Sequence, residues 1–307
     1  MESRKQNLVI ILGPTCVGKS FTGIKLAKEI GGEIINCDSM QVYKGFDIGT
    51  DKPPLSERGN IPHHVLDLVE PETQFTAADF ARLALEAAKN ILRRKKIPII
   101  VGGTGLYFKA LLDGLFPGPS RSEQLRRQLE KEAEEKGVES LAQKLKRVDP
   151  DYYHKIGKND RMRIIRALEV YYLTKKPLSE HFSRTRSFVT DFNLIKTGLK
   201  LNRSELYRRI EERVDKMFKK GIIKEVEVLL EKGVDEDSPP FRALGYKHVL
   251  KYLRKEMSLE EAILLTKRDT RRYAKRQLTW FRKMEGIEWF SPFDFDRLLH
   301  YVVTHLR

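Results

Sequence analysis

"NLVIILGPTCVGKS", residues 7–20, decides the fold. Its first half is a short apolar run cut off by Gly13-Pro14, the pattern of a strand buried on both faces. Its second half satisfies G-x-x-x-x-G-K-[ST]. Glycines let backbone N–H groups point inward there, and the next helix adds partial positive charge at its N-terminus. Gly13, Pro14, Thr15, Cys16, Val17, Gly18, Lys19 and Ser20 are therefore expected to wrap a phosphate group. Lys19 should reach the terminal phosphate, and the Ser20 hydroxyl can ligate Mg²⁺. The motif says phosphate, as in ATP-binding proteins, without saying whose phosphate.

Working outward, a helix is expected from Lys19 to Ile30, stopped by Gly31 and Gly32. "EIINCDSM" reads as a second strand ending at Asp38, succeeded by a long loop rich in Gly, Pro and His. An amphipathic helix then starts at Thr76, a good N-cap, and "IPIIVGG" and "TGLYFKALLDG" give a third strand and a third helix. Strands alternating with helices specify an α/β fold with a parallel, P-loop NTPase-like sheet. After "FPGPS" the strand pattern vanishes. Residues 121–184 read as an inserted all-helical domain between two parts of one core, 1–120 and 185–307. "FNLIKTGLKL" reads as a returning strand. Helices are expected over 204–232, 241–254 and 258–284, with a last short one in the tail.

Lys and Arg number 58 against 43 Asp and Glu, a formal net charge of +15. Such an excess favours a polyanionic partner, nucleic acid first. "KRDTRRYAKRQLTWFRK" concentrates it: Lys267, Arg268, Arg271, Arg272, Lys275, Arg276, Arg282 and Lys283 share one expected helix, with Asp269 the lone acid. Cys16 and Cys37 lack zinc-ligand spacing and read as small packing residues in a reducing, cytoplasmic setting. No apolar run is long enough to span a bilayer, and the N-terminus does not read as a secretion signal. A monomer is the default expectation.

A nucleotide hydrolase supplies an Asp after a second apolar strand, yet "IPIIV" is followed by Gly102, Gly103 and Thr104. Asp38 stands at a strand's carboxyl end, where open α/β sheets bind ligands. It could hold Mg²⁺, take a proton from an acceptor, or simply cap the turn "DSM". Thr104 projects toward the same crevice or caps a helix. Met40, Tyr43 and Tyr107 are candidate walls, with ordinary core packing the alternative. A diphosphate in the loop could also be a leaving group, which needs one base, several cations and a dry apolar channel.

"GPTCVGKS", "CDSMQVYKGFDIGTDKP", "PHHVLD", "VGGTGLYFKALL", "RIIRALEVYYLTKKPLSE", "FRALGYKHV" and "RRYAKRQLTWFRK" occur in the order and context of the bacterial tRNA dimethylallyltransferases, which the chain resembles from about Leu8 to Phe290. The resemblance implies transfer of a dimethylallyl group from dimethylallyl diphosphate to N6 of adenosine-37, beside the tRNA anticodon, with Mg²⁺ required and diphosphate released. The loop then grips prenyl diphosphate and not ATP. By the same resemblance Asp38 is the general base, assisted by Lys19 and Thr104, and Ser39, Met40 and Gln41 line the place of the flipped base. Arg203 and Arg209 grip diphosphate. Facing the anticodon stem-loop would be Arg126, then Met162, Arg163, Ile164, Ile165 and Arg166, then Arg242, Gly245 and Lys247, and finally Lys275, Arg276, Gln277, Trp280 and Arg282. Cys16 and Ser20 depart from Ala and Thr common in the family. Three rivals remain open on sequence: a prenyl transferase acting on free adenine nucleotides, a P-loop kinase or ATPase, and an RNA-binding module with a vestigial phosphate site.

Overall fold

The computed structural model describes residues 5–116, 118–182 and 185–306. Two compact units result, Met1–Leu112 with Phe188–Arg307, and Asp113–Ser187. The ends of the second lie outside the 121–184 expected for the insertion, and Arg184 itself falls outside the described residues.

The larger unit is built on six strands: β1 (Gln6–Leu12), β2 (Gly32–Cys37), β3 (His63–His64), β4 (Ile97–Gly102), β5 (Phe192–Leu199) and β6 (Glu288–Phe290). Their spatial order is β3-β2-β4-β1-β5-β6 and every pairing is parallel. A parallel sheet is covered on both faces, so its central strands are apolar throughout; Leu8 to Leu12 are all buried. Register sets which strand ends lie together. Leu12 pairs with Gly102 and with Gly198, and Cys37 also pairs with Gly102. The segments leaving β1, β2 and β4 therefore emerge side by side, with Gly13, Asp38 and Gly103 at one edge.

Helices α1 (Lys19–Ile30), α2 (Ala77–Arg93) and α3 (Gly105–Leu112) connect this half. Thr76 and Asp79 form a reciprocal cap at the start of α2. The smaller unit consists of α4 (Glu123–Val148, kinked at Gly137), α5 (Pro150–Lys155), α6 (Arg161–Thr174) and α7 (Leu178–Phe182) around Leu141, Leu145, Ile164 and Leu168. Back in the larger unit, α8 (Arg203–Lys219), α9 (Ile222–Glu231), α10 (Tyr246–Leu253), α11 (Leu259–Phe281) and α12 (Phe295–His305) complete the chain.

Three expectations need correction. The second strand stops at Cys37, because Asp38 turns the chain through a side-chain bond to the Met40 amide. The single helix expected over 204–232 is two: Gly221, at φ 94°, takes a left-handed conformation that interrupts it. Strands β3 and β6, of two and three residues, carry no readable periodicity, and the sequence pattern does not reveal them.

Candidate active site

The phosphate loop joins β1 to α1, with Gly18 at φ 103° as the helix N-cap. Val17 is buried in the main core, so only the loop's backbone and the side chains around it face outward. Lys19 Nζ donates to the Pro14 carbonyl at 2.6 Å. Burial pushes its pKa down to about 8, against the pull of Asp38. Ser20 is exposed beside it.

A cavity of about 600 Å³ opens here. Its lining includes Thr15, Lys19 and Ser20, then Asp38, Ser39 and Met40, and then Arg213, Met217, Leu244, Tyr273 and Arg276. Asp38 Oδ1 accepts from the amides of Met40 (2.9 Å) and Gln41 (3.4 Å). The turn-capping role is therefore real, but it uses one oxygen. Among the described residues no hydrogen bond reaches Oδ2. Thr104 Oγ1 accepts from the Ser39 amide at 3.1 Å, tying the end of β4 to the segment after β2. The Gln41 side chain is buried and donates to the carbonyls of Thr50 and Asp51, bracing the loop beneath Asp38. Lys52 does the same lower down, donating to Tyr43 O, Asp47 and Asp67 at 2.8, 2.6 and 2.5 Å.

Arginine placement differs from the sequence expectation. Arg203 is exposed at the start of α8 over the Tyr207 ring and does not line the cavity. Arg209 is half-buried, pairs with Glu205 at 2.8 Å and lies over the Phe293 ring. One turn further along, Arg213 points into the cavity. Its Nη1 donates to Thr15 Oγ1 at 2.6 Å, and its Nε stands 3.4 Å from Asp51. Burial acts against this charge, but Cys16 and Asp51 outweigh it and raise the pKa. Sequence reasoning missed Arg213, although its i,i+4 spacing from Arg209 placed both on one helix face. Tyr273 was missed as well. Burial and, after it, the nearby Asp38 charge raise its phenol pKa.

Several residues expected to face RNA or substrate also carry structural contacts. Arg126 is buried and makes a two-pronged ion pair with Glu169, at 3.0 Å on each prong. Arg166 also bonds Glu169, at 2.7 Å. Ile164 and Ile165 are core residues of the helical unit, whereas Met162 and Arg163 are exposed. Lys247 pairs with Asp269 at 2.8 Å. Arg242 lines the cavity, and Gly245 caps α10. Tyr43 and Tyr107 are core, the latter stacked on Phe80. Cys37 is buried packing, but Cys16 is half-exposed and accepts a 3.6 Å contact from Arg213.

The cation cluster thins out too. Lys267 pairs with Asp215, Arg271 with Glu211, and Arg268 and Arg272 both face Asp269. Acids on α8 supply what the sequence of α11 lacks. Among the described residues Lys275, Arg276, Arg282 and Lys283 keep no acidic partner. Gln277 is buried between two loops, and the Trp280 ring packs so closely on Gly105 that an added Cβ would lie 2.5 Å from it.

Residues 41–284 match the sequence profile described as IPP transferase, and residues 6–69 match that of isopentenyl transferase. The chain belongs to the IPP transferase family. It is 51% identical to the tRNA dimethylallyltransferase of Carboxydothermus hydrogenoformans, over 93% of this chain and 92% of that one. Against the tRNA dimethylallyltransferase of Acetivibrio thermocellus the identity is 48%, over 94% and 93%. Among solved structures, the tRNA isopentenylpyrophosphate transferase of Bacillus halodurans is 40% identical with a TM-score of 0.73, over 98% and 97% of the two chains. A eukaryotic dimethylallyltransferase acting on tRNA is 32% identical with a TM-score of 0.78, over 97% of this chain and 77% of that one. An IPP transferase with this sheet is α/β and P-loop-like, as residues 7–20 require. No helix among the described residues is long and apolar enough to cross a membrane.

Proposed function

We propose that this IPP transferase moves a dimethylallyl group from dimethylallyl diphosphate to N6 of the adenosine next to the anticodon of tRNA, adenosine-37, releasing diphosphate. One observation carries the reading: the phosphate loop and Asp38 face a single cavity whose remaining wall includes Val214, Met217 and Leu244. A kinase needs no apolar wall beside its terminal phosphate. A five-carbon tail does, because water must be kept from the electrophilic carbon.

In this reading the loop amides, Lys19, Arg209 and Arg213 hold the diphosphate. N6 forms a bond to C1 of the dimethylallyl group as the C1–O bond breaks, and the electron pair leaves with the diphosphate oxygen. Asp38 Oδ2 takes the N6 proton. Thr104 keeps the Ser39 turn, and so Asp38, in place. Turning the adenine out of its stack costs a few kcal/mol, least in a loop.

Mg²⁺ fits these residues in a limited way. Among the described residues no group of three His, Cys, Asp or Glu side chains could hold a metal. The Ser20 hydroxyl, which makes no hydrogen bond among the described residues, would be its main protein ligand beside diphosphate oxygens and water. When bound, the ion supplies charge neutralisation for the leaving diphosphate. For the RNA, Lys275, Arg276, Arg282 and Lys283 are the available phosphate partners, with Met162 and Arg163 exposed on the helical unit.

The test is to incubate the protein with Mg²⁺, dimethylallyl diphosphate and an anticodon stem-loop, and to weigh the nucleosides. N6-(dimethylallyl)adenosine is expected beside the anticodon. Equal conversion of free AMP would favour the mononucleotide rival, and phosphate release from ATP alone would favour a kinase or ATPase.

A further inference from the structure

Sequence resemblance sets Gln277 against RNA, yet its side chain is buried at 6% exposure. It lies on the same stripe of α11 as Thr270, Ala274 and Phe281, all of them buried. Lys275 and Arg276, its neighbours in sequence, are exposed.

The Gln277 amide closes two hydrogen bonds across the sheet edge. Oε1 accepts from the backbone N–H of Thr15 at 2.9 Å. Nε2 donates to the Gly103 carbonyl at 2.8 Å. The orientation is unambiguous, since a backbone N–H can only donate and a carbonyl can only accept. Gly103 makes room for this contact: a Cβ there would lie 2.4 Å from Nε2. Thr15 is thus gripped twice, at its N–H by Gln277 and at its hydroxyl by Arg213.

We infer that Gln277 is a positioning residue that presets the phosphate loop and locks it to the strand end carrying Thr104. The inference rests on the reading that this loop holds diphosphate. A phosphate loop works through the direction of its amides, and those directions are inherited from Thr15, where the loop is tied down. Without Gln277 the Thr15 N–H and the Gly103 carbonyl lose their partners in a buried place. The loop then rotates to find others. The glutamine amide supplies both a donor and an acceptor at this reach.

Gln277→Met keeps the volume and removes both bonds, so it separates hydrogen bonding from packing. Pyrophosphate binding by calorimetry should weaken about tenfold, as expected for losing a buried bonded pair. KM for dimethylallyl diphosphate should rise in parallel with kcat little changed, and stem-loop affinity should stay within about twofold of the parent. Gln277→Glu keeps the acceptor but turns a carboxylate oxygen toward the Gly103 carbonyl, so it should weaken pyrophosphate more than Gln277→Met does. If Gln277→Met does not fold by circular dichroism, Gln277→Glu decides in its place. Pyrophosphate affinity equal to the parent's, or a loss confined to stem-loop binding, would overturn the inference. A parent protein that does not bind pyrophosphate at all would instead sink the proposed function, and the two failures are distinct.

Discussion

Arg213 Nη1 lies 2.6 Å from Thr15 Oγ1, joining the middle of α8 to the phosphate loop. The bond turns a charge on one helix toward the N-terminus of another. Nη1 serves Thr15 and Cys16 and Nε faces Asp51, which leaves Nη2 to meet an anion. Arg213→Ala should lower kcat/KM for dimethylallyl diphosphate by about 10²-fold, the scale for removing one preorganised charge donor. Arg213→Lys should recover only part of this, because an ammonium cannot serve Thr15 and diphosphate together. Steady-state kinetics with prenyl diphosphate varied at saturating stem-loop measure both.

Asp38→Asn should lower kcat by about 10²- to 10⁴-fold, the usual range for a general base. Asparagine keeps an acceptor for the Met40 and Gln41 amides, so the turn survives. Thermal melting and stem-loop affinity should therefore stay near the parent's. A parallel loss of affinity would make Asp38 structural.

Lys19 sets a pH limit. Its pKa is lowered to about 8, and only the protonated form attracts diphosphate. Affinity is fully present below that value and falls as pH rises through it, by about tenfold between pH 7 and 9. Bound anion raises the lysine pKa in return, so the loss is steepest just above 8. Lys19→Arg stays charged and should show a flatter profile. Titration of an unreactive prenyl diphosphate analogue across this window, parent against variant, checks the sign.

Salt dependence should separate paired from unpaired cations on α11. Removing Lys275 or Arg276 should reduce the slope of log K against log salt by roughly one each. Removing Arg271, which pairs with Glu211, should change it less. Stem-loop binding measured at several salt concentrations distinguishes the two classes.

In the helical unit, Glu169 is fully buried and takes bonds from Arg126, Arg166 and the Ser122 amide. Burial opposes its charge, yet Arg126 and Arg166 hold its carboxyl below the usual range. Glu169→Gln leaves a buried guanidinium uncompensated and should destabilise the unit by about 3–5 kcal/mol. Hydrogen exchange along α4 and α6 of the full chain would register it.

The reach of the sequence differs from residue to residue. Leu8 to Leu12, Gly13, Lys19 and Thr76 could be read because their signals are local: an apolar run, a loop that needs glycine, a helix cap. Arg126 and Lys267 could not. Glu169 lies 43 positions from Arg126, and Asp215 lies 52 from Lys267. A charge run counts cations on one element, whereas pairing depends on the element packed beside it. The two short strands were illegible for a similar reason, since two or three residues have no period.

From sequence alone came the parallel sheet, the phosphate loop at its edge, Asp38 beside it and an interruption by helices. Each arises from chemistry within a few neighbouring residues. Tertiary structure alone decided which cations stay unpaired, that Arg213 reaches the loop, and that Gln277 braces it from 262 residues away. Those outcomes depend on distances between chain segments, and distance through space is what a linear order of residues leaves open.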